Sequence, residues 1–332
     1  ASIKSVETNL RNFKMKKIPF EYGLIGAGAY VGQMTWHGGL SASIGLLIAT
    51  PGHFLEKEMG VIPMSDYMFN PMNIIIFLAL LIFPPLFAVM LHPREDEGYQ
   101  ELAPDTLEVI NADDDVDLKI PENPTIGDKL NHSKIICLAL GLMGWVYIVY
   151  HFITKGFDLN LDIVNSIFLF SGILMHKTIA NFVLAVKKAT GGVSGIIFQF
   201  PLYAGIMGMI RYSGLVTILA QGLVNVSTPF TFPLWTFLTA SVVNMFVPSG
   251  GGQWAVQGPI AIQSAKLMNA DIVKTALAVG YGNTWTNMFQ PFWAIALLGI
   301  TGLKAKNIMG YSIGIMILSG FIFILGVLFL PV

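Results

Sequence analysis

Apolar residues fill this chain in runs of about 20 positions, the length of a membrane-crossing helix, and polar residues interrupt the runs in clusters. Residues 1–21 are polar and carry Lys4, Arg11, Lys14, Lys16 and Lys17, which predicts a cytoplasmic segment by the positive-inside rule. Tyr22 to Thr50 is apolar but broken at Thr35-Trp36-His37-Gly38-Gly39. A polar connection over 51–71 leads to a predicted span from Met72 to Leu91, with Pro84-Pro85 inside it. Further spans are predicted near 133–153, 161–176, 193–211 and 309–330. Lys177, Lys187 and Lys188 mark a cytoplasmic loop between the second and third of these. The shorter runs Phe230–Val247 and Trp254–Leu267 flank Pro248-Ser249-Gly250-Gly251-Gly252-Gln253. They predict a re-entrant hairpin with its tip at the glycines, because irregular backbone at membrane depth survives only where protein or a cavity surrounds it. Val273 to Gly302 reads as a helix broken between Asn283 and Pro291.

Shifting the chain by 251 positions lays Ala27–Thr50 over Ala278–Thr301. Tyr30 meets Tyr281, Thr35 meets Thr286, Ile44 meets Ile295, and Thr50 meets Thr301. The polar breaks coincide as well as the apolar residues. Counting crossings from the basic start gives the copies opposite directions. An inverted repeat with broken helices is the sequence pointer to a midplane substrate site in a secondary transporter. The expected organisation is 1–91 as the later part of a first repeat, 92–131 as a cytoplasmic linker, and 132–332 as a second repeat. That second repeat holds the hairpin at 230–267 and the broken helix at 273–302. The first repeat then lacks a counterpart of the hairpin, so the chain is expected to be a fragment missing an N-terminal portion.

Composition sharpens the class. Of 332 residues 54% are hydrophobic and 12% charged, against about 25% charged in soluble domains. The fold class expected is an all-α polytopic membrane protein whose main partner is the lipid bilayer. Twelve of the 20 acids fall within 92–131, which predicts a solvated loop. A net charge of −1 gives no field for nucleic acid, and Cys137, the single cysteine, has no disulfide partner.

Three constellations carry candidate chemistry. Ser249, Gly250, Gly251, Gly252, Gln253 and Gln257 precede or begin a helix resuming near Trp254. The glycines permit unusual dihedrals, and the helix start offers N–H groups to an anion; a plain turn is the alternative. No Lys-Ser/Thr pair follows, so this is not a nucleotide phosphate loop. Asn283, Thr286, Asn287 and Gln290 share a helical face before Pro291. They either line a polar site with carbonyls open to a small cation or glue helices together. Thr35, His37, Gly38, Gly39 and Ser41 form the matching break in the first copy. His37 is an ionisable group inside a span that either handles a proton or a carboxylate, or is a neutral packed residue. Gln199 and Tyr203, around Pro201, line the path or mark a kink. The glycines at 26, 28 and 32 fit close helix packing, not a dinucleotide fingerprint, since no strand precedes them. No metal-ligand spacing and no nucleophile–base pair points to an enzyme.

Several strings resemble the bacterial short-chain fatty acid transporters. They are Asn244-Met245-Phe246-Val247-Pro248-Ser249-Gly250-Gly251-Gly252-Gln253-Trp254, Leu174-Met175-His176-Lys177-Thr178, Phe198-Gln199-Phe200-Pro201-Leu202-Tyr203, Asn287-Met288-Phe289-Gln290-Pro291-Phe292-Trp293 and Thr35-Trp36-His37-Gly38-Gly39-Leu40-Ser41. The resemblance implies an ion-transporter-superfamily architecture of two inverted repeats, often homodimeric. It implies uptake of small monocarboxylates such as butyrate or acetoacetate across the bacterial inner membrane. No cofactor is expected, with H⁺ or Na⁺ as coupling ion. The N–H groups around Ser249–Gln253 would take the carboxylate, and Trp254, Phe289 and Phe292 suit its alkyl tail. A dicarboxylate carrier, for which Arg211 is the candidate fixed cation, and a cation/proton antiporter are the alternatives.

Overall fold

The computed structural model describes residues 21–93, 118, 120–290, 293–294, 297–298 and 303–332. Among them there are helices and no strands. In chain order the elements are α1 (Tyr22–Val31), a 3₁₀ segment (Gly32–Gly38), α2 (Ser43–Ile48), α3 (Pro71–Met90), α4 (Lys134–Lys155), α5 (Leu161–His176), α6 (Ile179–Tyr212), α7 (Leu215–Val226), α8 (Phe232–Asn244), α9 (Gly250–Met268), α10 (Ile272–Asn287) and α11 (Ala305–Phe329). Short helical turns also occur at Met64–Met68 and Ile126–Asn131. The predicted N-terminal basic segment and most of the acidic linker lie outside the described residues.

Local chemistry starts most of these helices. Asn70, Ser133, Asn160, Ser249 and Asp271 each accept a first-turn N–H with the side-chain oxygen, as N-cap residues do. At Ile126–Asn131 a capping box joins Thr125 and Asp128. The hydrogen bonds from Thr125 hold the Asp128 carboxyl below its ordinary value.

Among the described residues three helices are long and apolar enough to cross a membrane: Pro71–Met90, Lys134–Lys155 and Ala305–Phe329. Only 28%, 22% and 39% of their apolar windows are covered by the rest of the chain. Leu81, Phe83, Leu86 and Val89 on α3, and Ile135, Met143, Val146 and Ile153 on α4, are largely exposed. Water would penalise such surfaces heavily, whereas lipid does not, and a helix satisfies its own backbone there. The chain is therefore an all-α polytopic membrane protein. A fourth candidate span is bent by 118° between Leu161–His176 and Ile179–Lys187, where Lys177 takes a left-handed conformation.

The described residues fall into two units, one within Ala1–Gly45, Tyr67–Ala112 and Tyr203–Val332, the other within Leu46–Asp66 and Asp113–Leu202. In the second, α4 packs against α5: Gly141 and Gly144 leave room for Leu174 and Phe170, and Cys137 donates to the Ile173 carbonyl. In the first, α10 is the central element. It packs on α8, α9, α11 and the 3₁₀ segment, and 12 of its 16 residues are buried. Gly282 sets the α8–α10 approach, since a methyl there would run into the Phe237 carbonyl and lie 2.7 Å from Ala240 Cβ and 2.9 Å from Ser241 N.

Several expectations change. Lys187 and Lys188 lie within α6 and not in a loop, and Gly28 and Gly32 have open space beside them where close packing was expected. The helix predicted to resume near Trp254 starts at Gly250, so the glycines form its first turn and the turn itself is 245–249. No residue of Gly250–Gly252 has positive φ, so room rather than dihedral freedom explains Gly250. Likewise α10 runs through Asn283 to Asn287 and ends there, because Asn283 finds side-chain partners without interrupting the backbone ladder. At 13 and 16 residues, α8 and α10 are about 20 and 24 Å long, short of the roughly 30 Å hydrocarbon core.

Gly282→Ala should lower the thermal midpoint of the detergent-solubilised protein by a shift worth about 1–3 kcal/mol of overpacking. Gly28→Ala, with nothing near its added methyl, should be neutral or stabilise by at most about 1 kcal/mol. Equal midpoints would show that α8 and α10 do not touch as described.

Candidate functional site

The C-terminal end of α8, the N-terminal end of α9, the C-terminal half of α10 and the 3₁₀ segment meet in one buried polar network. Its orientation is readable because backbone carbonyls can only accept. Gln253 Nε2 donates to the Ala240 carbonyl (2.8 Å) and to Gln257 Oε1 (2.8 Å), so Gln253 Oε1 faces the other way as an acceptor. There it takes a hydrogen bond from Asn283 Nδ2 at 2.8 Å. The same Nδ2 donates to Asn244 Oδ1 at 2.7 Å. Asn244 is fixed independently: its Nδ2 donates to Thr286 Oγ1 (3.0 Å) and Asn287 Oδ1 (2.8 Å), while the Thr286 hydroxyl donates toward the Ser241 and Gly282 carbonyls. Both anchors leave Asn283 only one orientation, with Oδ1 toward His37.

His37 Nε2 lies 3.1 Å from Asn283 Oδ1. An amide oxygen cannot donate, so Nε2 carries the proton of the neutral imidazole and Nδ1 carries a lone pair. Nδ1 is buried without a partner among the described residues, and so are Ser43 Oγ and Tyr67 Oη. The two hydroxyls lie near the His37 ring. A methyl at Gly250 would run into His37 Cε1, His37 Nε2 and Ser43 Oγ. A methyl at Gly280 would lie 3.2 Å from both His37 Cγ and Tyr67 Oη. The start of α9, His37, Ser43 and Tyr67 are thus neighbours, and His37 is fully buried.

The two tyrosines matched by the 251-residue shift reach toward opposite breaks. Tyr30 Oη is 2.7 Å from the carbonyls of Asn287 and Gln290 at the end of α10. Tyr281 donates to Asn73 Oδ1 at 2.6 Å, and Asn73 Nδ2 donates to the carbonyls of Gly38 (2.8 Å) and Met68 (2.7 Å). Carbonyls released where helices end need such partners, and a bilayer interior supplies no water to provide them.

Most residues picked from the sequence are brought together. Ser249 caps α9, Gly250 and Gly252 are buried in its first turn, and Gln253, Gln257, Asn283, Thr286 and Asn287 are all buried in the network. Gln290 is half-buried and donates to the Asn244 carbonyl at 3.0 Å. Gly38 is buried against Asn73. The rest of the first break sits apart: the Thr35 hydroxyl donates to the Gly32 carbonyl of its own turn, Gly39 is half-buried, and Ser41 is exposed. Gly251 has open space beside it. The side chains of Gln199, Tyr203 and Arg211, and all of Pro291 and Phe292, lie outside the described residues. Trp254 is fully buried, whereas Phe289 is half exposed.

Asn73, Asn244 and Tyr67 were not singled out as site residues. An amide within an apolar helix is itself a signal, and Asn73 near the start of α3 and Asn244 at the end of α8 both show it. Nothing in the local sequence marks Tyr67. Among the described residues no group of three His, Cys, Asp or Glu side chains could hold a metal ion.

Asn283→Ala should strip partners from Gln253 Oε1, Asn244 Oδ1 and His37 Nε2, and cost about 2–3 kcal/mol at the usual penalty for orphaned buried groups. Ser41→Ala should change stability by less than about 0.5 kcal/mol. Chemical unfolding in micelles checks both, and matching midpoints would contradict the network.

Comparison with known proteins gives this arrangement a family. The model of the short chain fatty acid transporter family matches residues 8–330. A protein of Escherichia coli assigned by name as a short-chain fatty acid transporter is 38% identical over 306 residues, 92% of this chain and 69% of its own length. One of Haemophilus influenzae, assigned likewise, is 38% identical over 317 residues, 93% of this chain and 70% of its own. No solved structure matches. With its membrane-spanning helices and this match over nearly its whole length, the chain belongs to the short chain fatty acid transporter family.

Proposed function

We propose that the protein is a secondary carrier taking short-chain monocarboxylates such as butyrate or acetoacetate inward across the bacterial inner (cytoplasmic) membrane, coupled to H⁺ or Na⁺. The observation that carries this reading is the start of α9. It lies against His37 and Ser43, whose Nδ1 and Oγ have no partner among the described residues, and among those residues no charged side chain is drawn into the network around it. A single carboxylate suits such a place. Helix-start N–H groups and neutral hydroxyls can hold one negative charge, and among the described residues no fixed cation joins them to hold a second. A dicarboxylate would call for one more cradle than the described residues supply. The family's transport role is the ground for proposing no enzymatic step.

In this reading Ser249, Gly250, Gly251 and Gly252 receive the carboxylate opposite His37. Gln253, Gln257, Asn283, Thr286, Asn287 and Gln290 form the polar wall that holds that geometry. Thr35, Gly38, Gly39 and Ser41 form the opposing break, and Trp254 borders the alkyl tail. The described amides bond to one another, so substrate entry exchanges some of these bonds for bonds to ligand. The two breaks belong to inverted repeats, with the tyrosine contacts tying each break to the other half. Transport proceeds by alternating exposure of this site. A multi-pass homodimer in the lipid bilayer, with no nucleic-acid role, is the assembly proposed.

Gly250→Ala puts a methyl where His37 and Ser43 stand. It should cut protein-dependent uptake of labelled butyrate by at least about tenfold, the effect of roughly 1.4 kcal/mol, in protein that still reaches the membrane. Gly310→Ala, with open space beside it, should transport normally. A large excess of succinate should leave butyrate uptake unchanged, while propionate should compete. Wild-type uptake no faster than that of empty vesicles, or inhibition by succinate as strong as by propionate, would contradict the reading.

A further inference from the structure

His37 is held unlike an ordinary packed histidine. Buried histidines usually have both ring nitrogens engaged, because a buried polar atom without a partner is costly. Here the amide network, pinned to the Ala240 carbonyl at one end and to the Ser241 and Gly282 carbonyls at the other, compels Nε2 to donate. The neutral ring therefore has one vacant proton site, Nδ1, and nothing among the described residues donates to it. Two hydroxyls, those of Ser43 and Tyr67, stand near the ring with no acceptor among the described residues. Hydroxyls without acceptors and an imidazole with a vacant site share one complement: an anion that arrives together with a proton.

We infer that His37 is the coupling group of this carrier. A proton adds to Nδ1, and the resulting imidazolium, with the Ser43 and Tyr67 hydroxyls, holds the substrate carboxylate at the start of α9. This rests on the monocarboxylate reading and chooses H⁺ over Na⁺ within it. The balance is simple: one N–H bond forms at Nδ1 when proton and anion bind, and the same bond breaks when both leave. One positive and one negative charge enter together, so each cycle moves no net charge. Nε2 keeps its proton on Asn283 throughout, which stops the ring from passing the proton into the amide network. Without the anion, the imidazolium would be an unpaired charge in a fully buried site, a costly state. Without the proton, the carboxylate would meet a lone pair. Each ligand therefore strengthens binding of the other, as coupling requires.

The surroundings allow this assignment. The groups that could titrate near the ring are Tyr67, from the turn Met64–Met68, and Tyr281, from α10, whose hydroxyl is committed to Asn73. The 3₁₀ segment contributes Trp36, and α2 and α9 contribute Ser43 and Gly250, none of which titrates. Among the described residues no Asp, Glu, Lys or Arg acts on His37. Among the described residues no acidic side chain competes with the substrate for the imidazolium.

The test is calorimetry of butyrate binding to the full-length protein in detergent. It is run at several pH values above the ordinary histidine range, at each in two buffers of different ionisation heat, with sodium or with choline as the cation. The wild type should take up about one proton per butyrate and bind equally well without sodium. Its affinity should fall by about tenfold per pH unit on the alkaline side. His37→Gln keeps a donor for Asn283 but has no titrating nitrogen. Its butyrate binding should be weaker, independent of pH and free of proton uptake. Ser43→Ala should weaken binding and keep the proton. Wild-type binding with no proton uptake, or one that requires sodium, would overturn the coupling assignment and leave the monocarboxylate reading standing. Proton uptake that persists in His37→Gln would overturn it as well. If His37→Gln does not fold, the wild-type proton count and its sodium independence decide alone. No binding of butyrate by folded wild type would instead remove the monocarboxylate reading beneath it.

Discussion

An amide inside a bilayer has no water to turn to, and Asn283 meets that constraint with every hydrogen-bonding group it has. Its Nδ2 serves Asn244 and Gln253, and its Oδ1 serves His37. The cost of leaving any of these unpaired in a medium without water is what forces the ends of α8, α9 and α10 and the 3₁₀ segment to a common point. Short helices end there, and their ends bring carbonyls and N–H groups into the protein interior. The tyrosine and asparagine bonds at both breaks then become necessary rather than decorative. From one saturated amide follow the convergence of the helices, the tautomer of His37 and a lone pair left at Nδ1 of a ring that lies against the start of α9.

Glycine plays a different part from the one its clustering first suggests. Gly250 is helical and Gly282 sits mid-helix, so neither is there for an unusual dihedral. Each is there because a methyl would collide with a neighbour: His37 and Ser43 at one, the α8 backbone at the other. Small residues that let helices approach closely are how membrane proteins gain packing without a hydrophobic drive between helices. At Gly250 the same closeness brings a helix start up against an imidazole, so packing and chemistry share one requirement.

Much of this was legible in the sequence because bilayers impose simple rules on it. The spans at 71–90, 134–155 and 305–329 announce themselves by apolar length, and the polar interruptions at 35–39, 248–253 and 283–290 mark where helices end or amides must pair. What the sequence withheld was partnership. Asn283 and His37 are 246 positions apart, and no local pattern says that one orients the other. Asn244, Asn73 and Tyr67 escaped notice because a single polar residue in an apolar stretch reveals that it needs a partner, not which one. The exposure of Ser41 was hidden for the converse reason: a residue beside a functional break in sequence need not face the same way in space.

The amide network and the coupling role both depend on the state of one ring, and nitrogen NMR of histidine-labelled protein in micelles observes that ring directly. With His37 assigned by the signal lost in His37→Gln, and without substrate at alkaline pH, a protonated Nε2 and a bare Nδ1 are expected. A neutral His37 carrying its proton on Nδ1 would contradict this, because the amide network could not then be oriented as described.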